Sequence, residues 1–403
     1  MSLDLIKTAS QIDSMAVNLK AHQNDRGQRI ENAIVNIRDF SLECYKTKRD
    51  LIGNEYPYPL PIIIDPPISN YSASHLPNDY CLVAVDGSHI DTDRHLPTRC
   101  FLINTGTAIF TYGSNSQADL INKPKLYVQD EELVIKDPLT YREQAIEGAI
   151  LGAKRAVEEA VELTEAIAST QSNIPTLGLL DGSLLMLGIT SHHYQDFVSR
   201  NLIEDGFVKE LSQMKEMSKN RSLMIASYIS FPRSADMVNA LRLMVCPYKN
   251  YDVYNHCSQA GSTKENCDQC VGGLLDRDLY SKLLSPGQRS GLFSVSSTTV
   301  DKYYGDNEIN FFYLNTGNEI GRVEIPSWIA SDMEKLDLTH TLILDQCNRG
   351  RGYPIGLMEA HEQAVINGSD RRNFVELVEN ALYDNGLPSF TSEKALSKRL
   401  KWL

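Results

Sequence analysis

The chain is 403 residues long, which at roughly 150 residues per domain allows two or three domains, or one large domain with insertions. Apolar residues make up 42% and charged residues 23%, close to the averages of folded soluble proteins, which argues against a disordered chain or a fibre. With 39 Lys and Arg against 52 Asp and Glu, the formal net charge is −13. That balance argues against a broad phosphate-binding surface, leaves room for a local basic groove, and suits a site that gathers carboxylates around hard divalent cations.

The start, MSLDLIKTASQIDSM, has no basic stretch leading into an apolar core, so no secretory signal is expected. No apolar run approaches the roughly 20 residues needed to span a bilayer. The expected compartment is the cytoplasm, where clustered cysteines signal metal more often than disulfides.

In chain order, residues 1 to about 50 place Leu5, Ile12, Met15, Val17, Ile30, Ile34, Val35 and Ile37 at helical spacing, which predicts a helical arm. Residues 56–77 are crowded with proline and predict an extended linker. Cys81 to Val85 is an apolar run that predicts a buried strand ending in Asp86-Gly87-Ser88. Thr98 to Ile103 and Thr107 to Tyr112, separated by Asn104-Thr105-Gly106, predict a hairpin that completes a three-stranded meander. A ribbon is expected over 124–136, then a long helix from Asp137-Pro138 to about Ser169. A strand from Thr176 to Leu180 follows, ending in a second Asp-Gly-Ser at Asp181.

Beyond it the pattern predicts a helix from His193 to about Met217, a strand from Ser222 to Ser230 and a helix from about Ala235 to Met244. Residues 245–273 read as an inserted Cys-containing module. Ile309 to Leu314 and Glu319 to Ile325 flank Asn315-Thr316-Gly317-Asn318 and predict another hairpin. Then come a strand at Thr341 to Leu344, a loop with Gly350 and Gly352, a helix from Pro354 to Ile366, and a helical tail. The fold class is α/β, with a mixed sheet flanked by helices. The expected organisation is an N-terminal arm and linker over 1–77, a core over 78–244 and 274–366 interrupted by the insertion at 245–273, and a tail over 367–403.

An aspartate at the carboxyl end of an apolar strand lies at the sheet rim, where α/β proteins bind ligands, and a glycine beside it allows a metal or substrate to come close. The pattern occurs twice, in LVAVDGS and LGLLDGS, which predicts two carboxylates held near one point; the plainer alternative is that each triplet is a turn. A third carboxylate is expected from the intervening helix. The second strand spans roughly 16 Å at about 3.3 Å per residue. An antiparallel helix rising about 1.5 Å per residue reaches the rim ten or eleven residues before its end, near residue 158. Glu159 leads into the stripe Ala160, Leu163, Thr164 and Ile167, which would seat it beside the sheet; Glu158, Glu147 and Glu143 compete with it. Downstream, Arg349-Gly350-Arg351-Gly352-Tyr353-Pro354 leads into a helix with His361 about two turns in, and a histidine can bind a metal or transfer a proton near neutral pH.

The order of strand-Asp-Gly-Ser, hairpin, acidic helix, strand-Asp-Gly-Ser-Leu and a distal Gly-Tyr-Pro followed by Ala-His resembles the NurA family of nucleases over about residues 80–366. The resemblance implies an RNase H-like core and manganese- or magnesium-dependent cleavage of DNA. It also implies 5′ to 3′ exonuclease or single-strand endonuclease action in end resection and repair, a homodimer, and partnership with a HerA-type hexameric ATPase. By position it places the family's functional residues on Asp86, Glu159, Asp181, Tyr353 and His361. Asp86, Glu159, Asp181 and His361 are the expected ligands of two cations about 4 Å apart, with Tyr353 orienting a phosphate or water. Arg233, Arg349 and Arg351 are the expected contacts to the DNA backbone. In the insertion, Cys246, Cys257, Cys267 and Cys270 are candidates for a structural zinc, although their spacing is irregular and the resemblance does not require it. Two rival readings are an actin-like phosphotransferase, which also uses two strand-end Asp/Gly/Ser loops, and a non-catalytic adaptor of a DNA translocase.

Overall fold

The apolar runs around the two Asp-Gly-Ser triplets form the centre of a mixed sheet. A computed structural model describes residues 4–53, 56, 58–91, 98–190, 194–246 and 267–387. It divides into two units: Met1–Ser72, Ser230–Ser297 and Phe311–Arg322 form one, and Ala73–Ile229, Thr298–Asn310 and Val323–Leu403 form the other.

The second unit contains β1 (Tyr80–Ile90), β2 (Phe101–Tyr112), β3 (Gln117–Tyr127), β4 (Thr176–Asp181) and β5 (Leu223–Ile229), in the order β3-β2-β1-β4-β5. The first three run antiparallel as a meander, while β1, β4 and β5 are parallel. An antiparallel meander followed through a helix by parallel strands is the RNase H-like arrangement. Central strands buried on both faces need continuous apolar sequence rather than alternation. Accordingly Cys81 to Val85 and Thr176 to Leu180 are buried at every residue.

Helix α1 (Ala149–Ser169) covers one face of this sheet, and α3 (Ile355–Ala364) covers the other after α2 (Met333–Arg349). Successive strand residues point to opposite faces, and the contacts follow that alternation. Thr107 hydrogen-bonds Glu162 of α1, whereas Ser88 and Asn104 donate to the Ala364 carbonyl of α3. Among the described residues no helix is long and apolar enough to cross a membrane.

Four expectations about local structure are corrected. Asn104-Thr105-Gly106 is not a turn, because β2 runs unbroken through it. Its glycine is needed because a Cβ at Gly106 would lie 2.2 Å from the Ala360 carbonyl oxygen and 2.5 Å from the Ala364 nitrogen of α3. The first Asp-Gly-Ser likewise lies inside β1, which continues to Ile90, rather than at its end. The long helix does not begin at Asp137. Val134–Lys136 and Glu143–Ala145 pair as a ribbon, and α1 starts after Gly148, whose φ of +55° no helix interior accepts. Finally, Thr341 to Leu344 is not a strand but the middle of α2, whose N-terminus is capped by Asp332 and whose buried Leu336, Thr339, His340, Ile343 and Cys347 recur at helical spacing.

In the first unit, helices Leu5–Arg38, Leu42–Ile52, Asp236–Val245 and Asp276–Leu283 pack around a core that includes Ile37, Tyr45, Leu241, Tyr280 and Tyr313. Asp276 is fully buried there, and its carboxylate accepts hydrogen bonds from the nitrogens of Met237 and Val238 and from the Tyr313 hydroxyl.

The Gly106 contact is backbone against backbone, so a methyl group there can be accommodated only by moving α3. Gly106→Ala should therefore cost roughly 1–3 kcal/mol or more, read as a drop of several degrees in Tm. An unchanged Tm would show that α3 does not lie this close to β2.

Candidate functional site

The β1–β4 ladder ends at the pair Val85 and Leu180, which leaves Asp86 and Asp181 side by side at its edge. Gly182 follows with φ +83°, a left-handed turn that suits glycine. Its N–H donates to the Tyr228 carbonyl, and the next two residues are pinned by Glu324, which is 1% exposed and accepts from Ser183 Oγ at 2.7 Å and Leu184 N at 2.9 Å.

On this face Asp86 Oδ2 lies 2.7 Å from His361 Nδ1. A carboxylate only accepts, so Nδ1 carries the proton and Nε2 is the ring atom left for other chemistry. The Tyr353 hydroxyl donates to Asp181 Oδ1 at 2.9 Å, and its ring meets Tyr228 edge-on at 5.7 Å. Tyr353 is delivered by a tight loop in which Arg351 has φ +58° and Gly352 φ +117°.

Glu159 approaches from the other face. It is 7% exposed, and a Cβ on Gly87 would lie 2.5 Å from its Oε1. Gly87 is thus what lets the glutamate pass β1 where β4 has ended. Among its competitors, Glu158 is drawn away by Lys154 at 2.7 Å and Lys125 at 3.3 Å, and Glu147 precedes the helix.

The electrostatics show a shortage of positive charge. Burial, with Asp86 and Asp181 adding to it, pushes the Glu159 carboxyl up to about 8 against the pull of Arg155. Arg155 Nε lies 3.0 Å from Glu159 Oε1, yet neither atom completes an aligned hydrogen bond. The contact is therefore weak compensation for a buried charge, and burial decides the direction. Asp181 is also raised, by burial first and then by Asp86, although Tyr353, the Gly182 N–H and His361 oppose the shift. Tyr353 is raised as well, by burial and by the adjoining Asp181.

A buried carboxylate oxygen without a hydrogen bond, beside two more acids, is a donor set that fits a hard divalent cation. Among the described residues no three His, Cys, Asp or Glu side chains are gathered around a common point.

The NurA domain model matches residues 82–366. The chain belongs to the NurA domain family. Among solved structures, the NurA nuclease from Sulfolobus solfataricus is 14% identical, with 96% of this chain and 98% of that one covered and a TM-score of 0.49. A structure of NurA with manganese is 13% identical over 93% of this chain and 98% of that one, with a TM-score of 0.35. A type 1 RNase H with the type 2 active-site motif is 12% identical over 42% of this chain and 72% of that one, with a TM-score of 0.21. No curated protein matches the sequence.

The remaining expected residues of this NurA chain are Arg233, Arg349, Arg351 and the cysteines of the insertion. Arg349 is engaged, its Nε 2.6 Å from Asp345 and its guanidinium 4.3 Å from the Tyr112 ring centre. Arg351 is exposed, and Arg233 is exposed in the other unit. Zinc finds no support: Cys246, Cys267 and Cys270 are free thiols outside any metal-ligating cluster among the described residues, and Cys257 lies outside those residues. Arg155 was not anticipated, although its position four residues before Glu159 is a recognisable helical ion-pair spacing.

The raised Glu159 carboxyl has a pH signature. A carboxyl whose folded value lies above its ordinary value adds stability fully below about 4.5, and that contribution is lost as pH rises through about 8. Chelator-treated protein should therefore lose several kcal/mol over this window, seen as a falling Tm. Glu159→Gln should flatten the profile, and an equally steep profile in that variant would show that Glu159 is not the strained acid.

Proposed function

We propose that this NurA chain is a divalent-metal-dependent nuclease that hydrolyses DNA phosphodiester bonds. The observation that carries the reading is the side-by-side placement of Asp86 and Asp181 where the β1–β4 ladder ends, with the buried Glu159 reaching Gly87 through an Oε1 that has no hydrogen bond. Asp86, Glu159, Asp181 and His361 would hold Mn2+ or Mg2+, two ions in this reading, which supply an activated water and charge stabilisation at the leaving oxygen.

Each residue of the chain has a definable part. Asp86 fixes the His361 ring in the tautomer that leaves Nε2 available for a ligand or a proton. Tyr353 orients the Asp181 carboxylate through its hydroxyl, and in this reading the same phenol orients a phosphate or a water. Glu324 holds the loop after Asp181 in place. Arg233, Arg349 and Arg351 serve as contacts to the DNA backbone in this reading. Family membership extends the reading to 5′ to 3′ exonuclease or single-strand endonuclease action in end resection and repair, a homodimer, a HerA-type ATPase partner and a cytoplasmic setting.

Asp86→Asn and Asp181→Asn should each lower manganese-dependent cleavage of labelled single- and double-stranded DNA by more than about a hundredfold, beyond what residues that only hydrogen-bond a metal's ligands usually contribute. The Tm of both variants should hold or rise as repulsion is relieved. Tyr353→Phe should lose roughly 10- to 100-fold. Full activity in Asp181→Asn, or cleavage that persists in EDTA, overturns the reading.

A further inference from the structure

We infer that Phe231 and Arg277 form a stacking platform for a base of single-stranded nucleic acid, an inference that rests on the nuclease reading above. Phe231 is 62% exposed and has φ +49°. An exposed apolar residue is ordinary by itself. A bulky side chain in the left-handed region is an outlier that persists only where its surroundings enforce it, and such outliers cluster at functional positions.

The enforcing contacts all lie within one unit. Ahead of Phe231, Ser230 Oγ donates to Glu319 at 2.9 Å. Behind it, the Ser234 carbonyl accepts from Asp276 N at 3.0 Å, and its hydroxyl meets the Tyr313 hydroxyl at 3.0 Å. Arg277 closes the arrangement, with Nη1 donating to the Phe231 carbonyl at 3.1 Å and the guanidinium 4.3 Å from the ring centre. Arg277 directly follows the buried Asp276, whose carboxylate is held by two backbone N–H groups and a tyrosine hydroxyl. The backbone that carries Arg277 is thereby fixed, and the hydrogen bond to the Phe231 carbonyl holds the guanidinium against the ring.

The result is an aromatic ring held outward, backed by a cation, with most of its surface open to solvent. Every base has a π-face, and stacking on an aromatic ring reinforced by arginine is how single strands are bound without regard to sequence. Arg233, exposed two residues on, suits a phosphate oxygen of the same strand. A duplex hides its π-faces, so the ligand is the single-stranded form.

The test uses the full chain carrying Asp86→Asn and Asp181→Asn, so that binding is read without cleavage. Fluorescence anisotropy with a labelled 20-nucleotide oligothymidine should show Phe231→Gly weakening affinity by about 5- to 150-fold, the range for losing one stacked base. Binding to a blunt duplex of equal length should be unchanged. The same substitution relieves the backbone, so its Tm should not fall; a purely structural role for the ring would lower it. Phe231→Trp should retain affinity, and the emission of the added indole should be quenched by the oligothymidine. The inference is overturned by affinity within twofold of the parent in Phe231→Gly, by unquenched emission in Phe231→Trp, or by a parent that does not bind the oligothymidine. The nuclease reading fails separately, by absence of metal-dependent cleavage in the unmutated chain.

Discussion

The site depends on one constraint: carboxylates are brought together in a place where water cannot fully screen them. Asp86 and Asp181 are neighbours because two parallel strands are in register up to their preceding residues, and Glu159 is driven in from the opposite face by the apolar stripe that seats its helix. The fold relieves this repulsion only in part, through Arg155 beside Glu159 and through hydrogen bonds from Tyr353 to Asp181 and from His361 to Asp86. The repulsion accumulated at this edge of the sheet is what the proposed cations would remove.

The architecture makes that accumulation tolerable. Strands buried on both sides provide a rigid base, and two helices clamp the faces. The close approaches are made where side chains are missing, at Gly87 for the glutamate and at Gly106 for the histidine helix. The two glycines are neighbours across the β1–β2 ladder, where Asp86 pairs with Gly106 and Gly87 with Thr105. The acid and the histidine that meets it are thus positioned from a single place in the sheet, and the loop after Asp181 is secured independently by Glu324.

Much of this was legible in the sequence, for identifiable reasons. Continuous apolar runs mark strands buried on both faces, so Cys81 to Val85 and Thr176 to Leu180 stood out; Asp181 does end its strand, whereas β1 continues past Asp86 to Ile90. The helix rise pointed near residue 158 because α1 does end at Ser169, and the stripe Ala160, Leu163, Thr164 and Ile167 set Glu159 ahead of its neighbours. The failures share a cause: a local signal was outweighed by tertiary contact. Gly106 looked like a turn because glycine usually signals one, yet its role is to admit a helix more than 250 positions along the chain. Thr341 to Leu344 is too short to distinguish strand from helix by apolar content, and the cap at Asp332 that settles it lies nine residues upstream. Arg155 was overlooked because a charge on a helix ordinarily faces water, and nothing local says that its partner is buried.

One further feature limits how such molecules meet. β3 is the outermost strand of its sheet, and all but two of its eleven residues are exposed. A long bare edge invites another strand to pair with it. This one carries Pro124, which has no N–H to offer, flanked by Lys123 and Lys125, whose charges would have to be stripped of water on contact. Edge-to-edge growth into a shared sheet is disfavoured on that side, so a partner that meets this edge does so through side-chain surfaces rather than through a continued ladder.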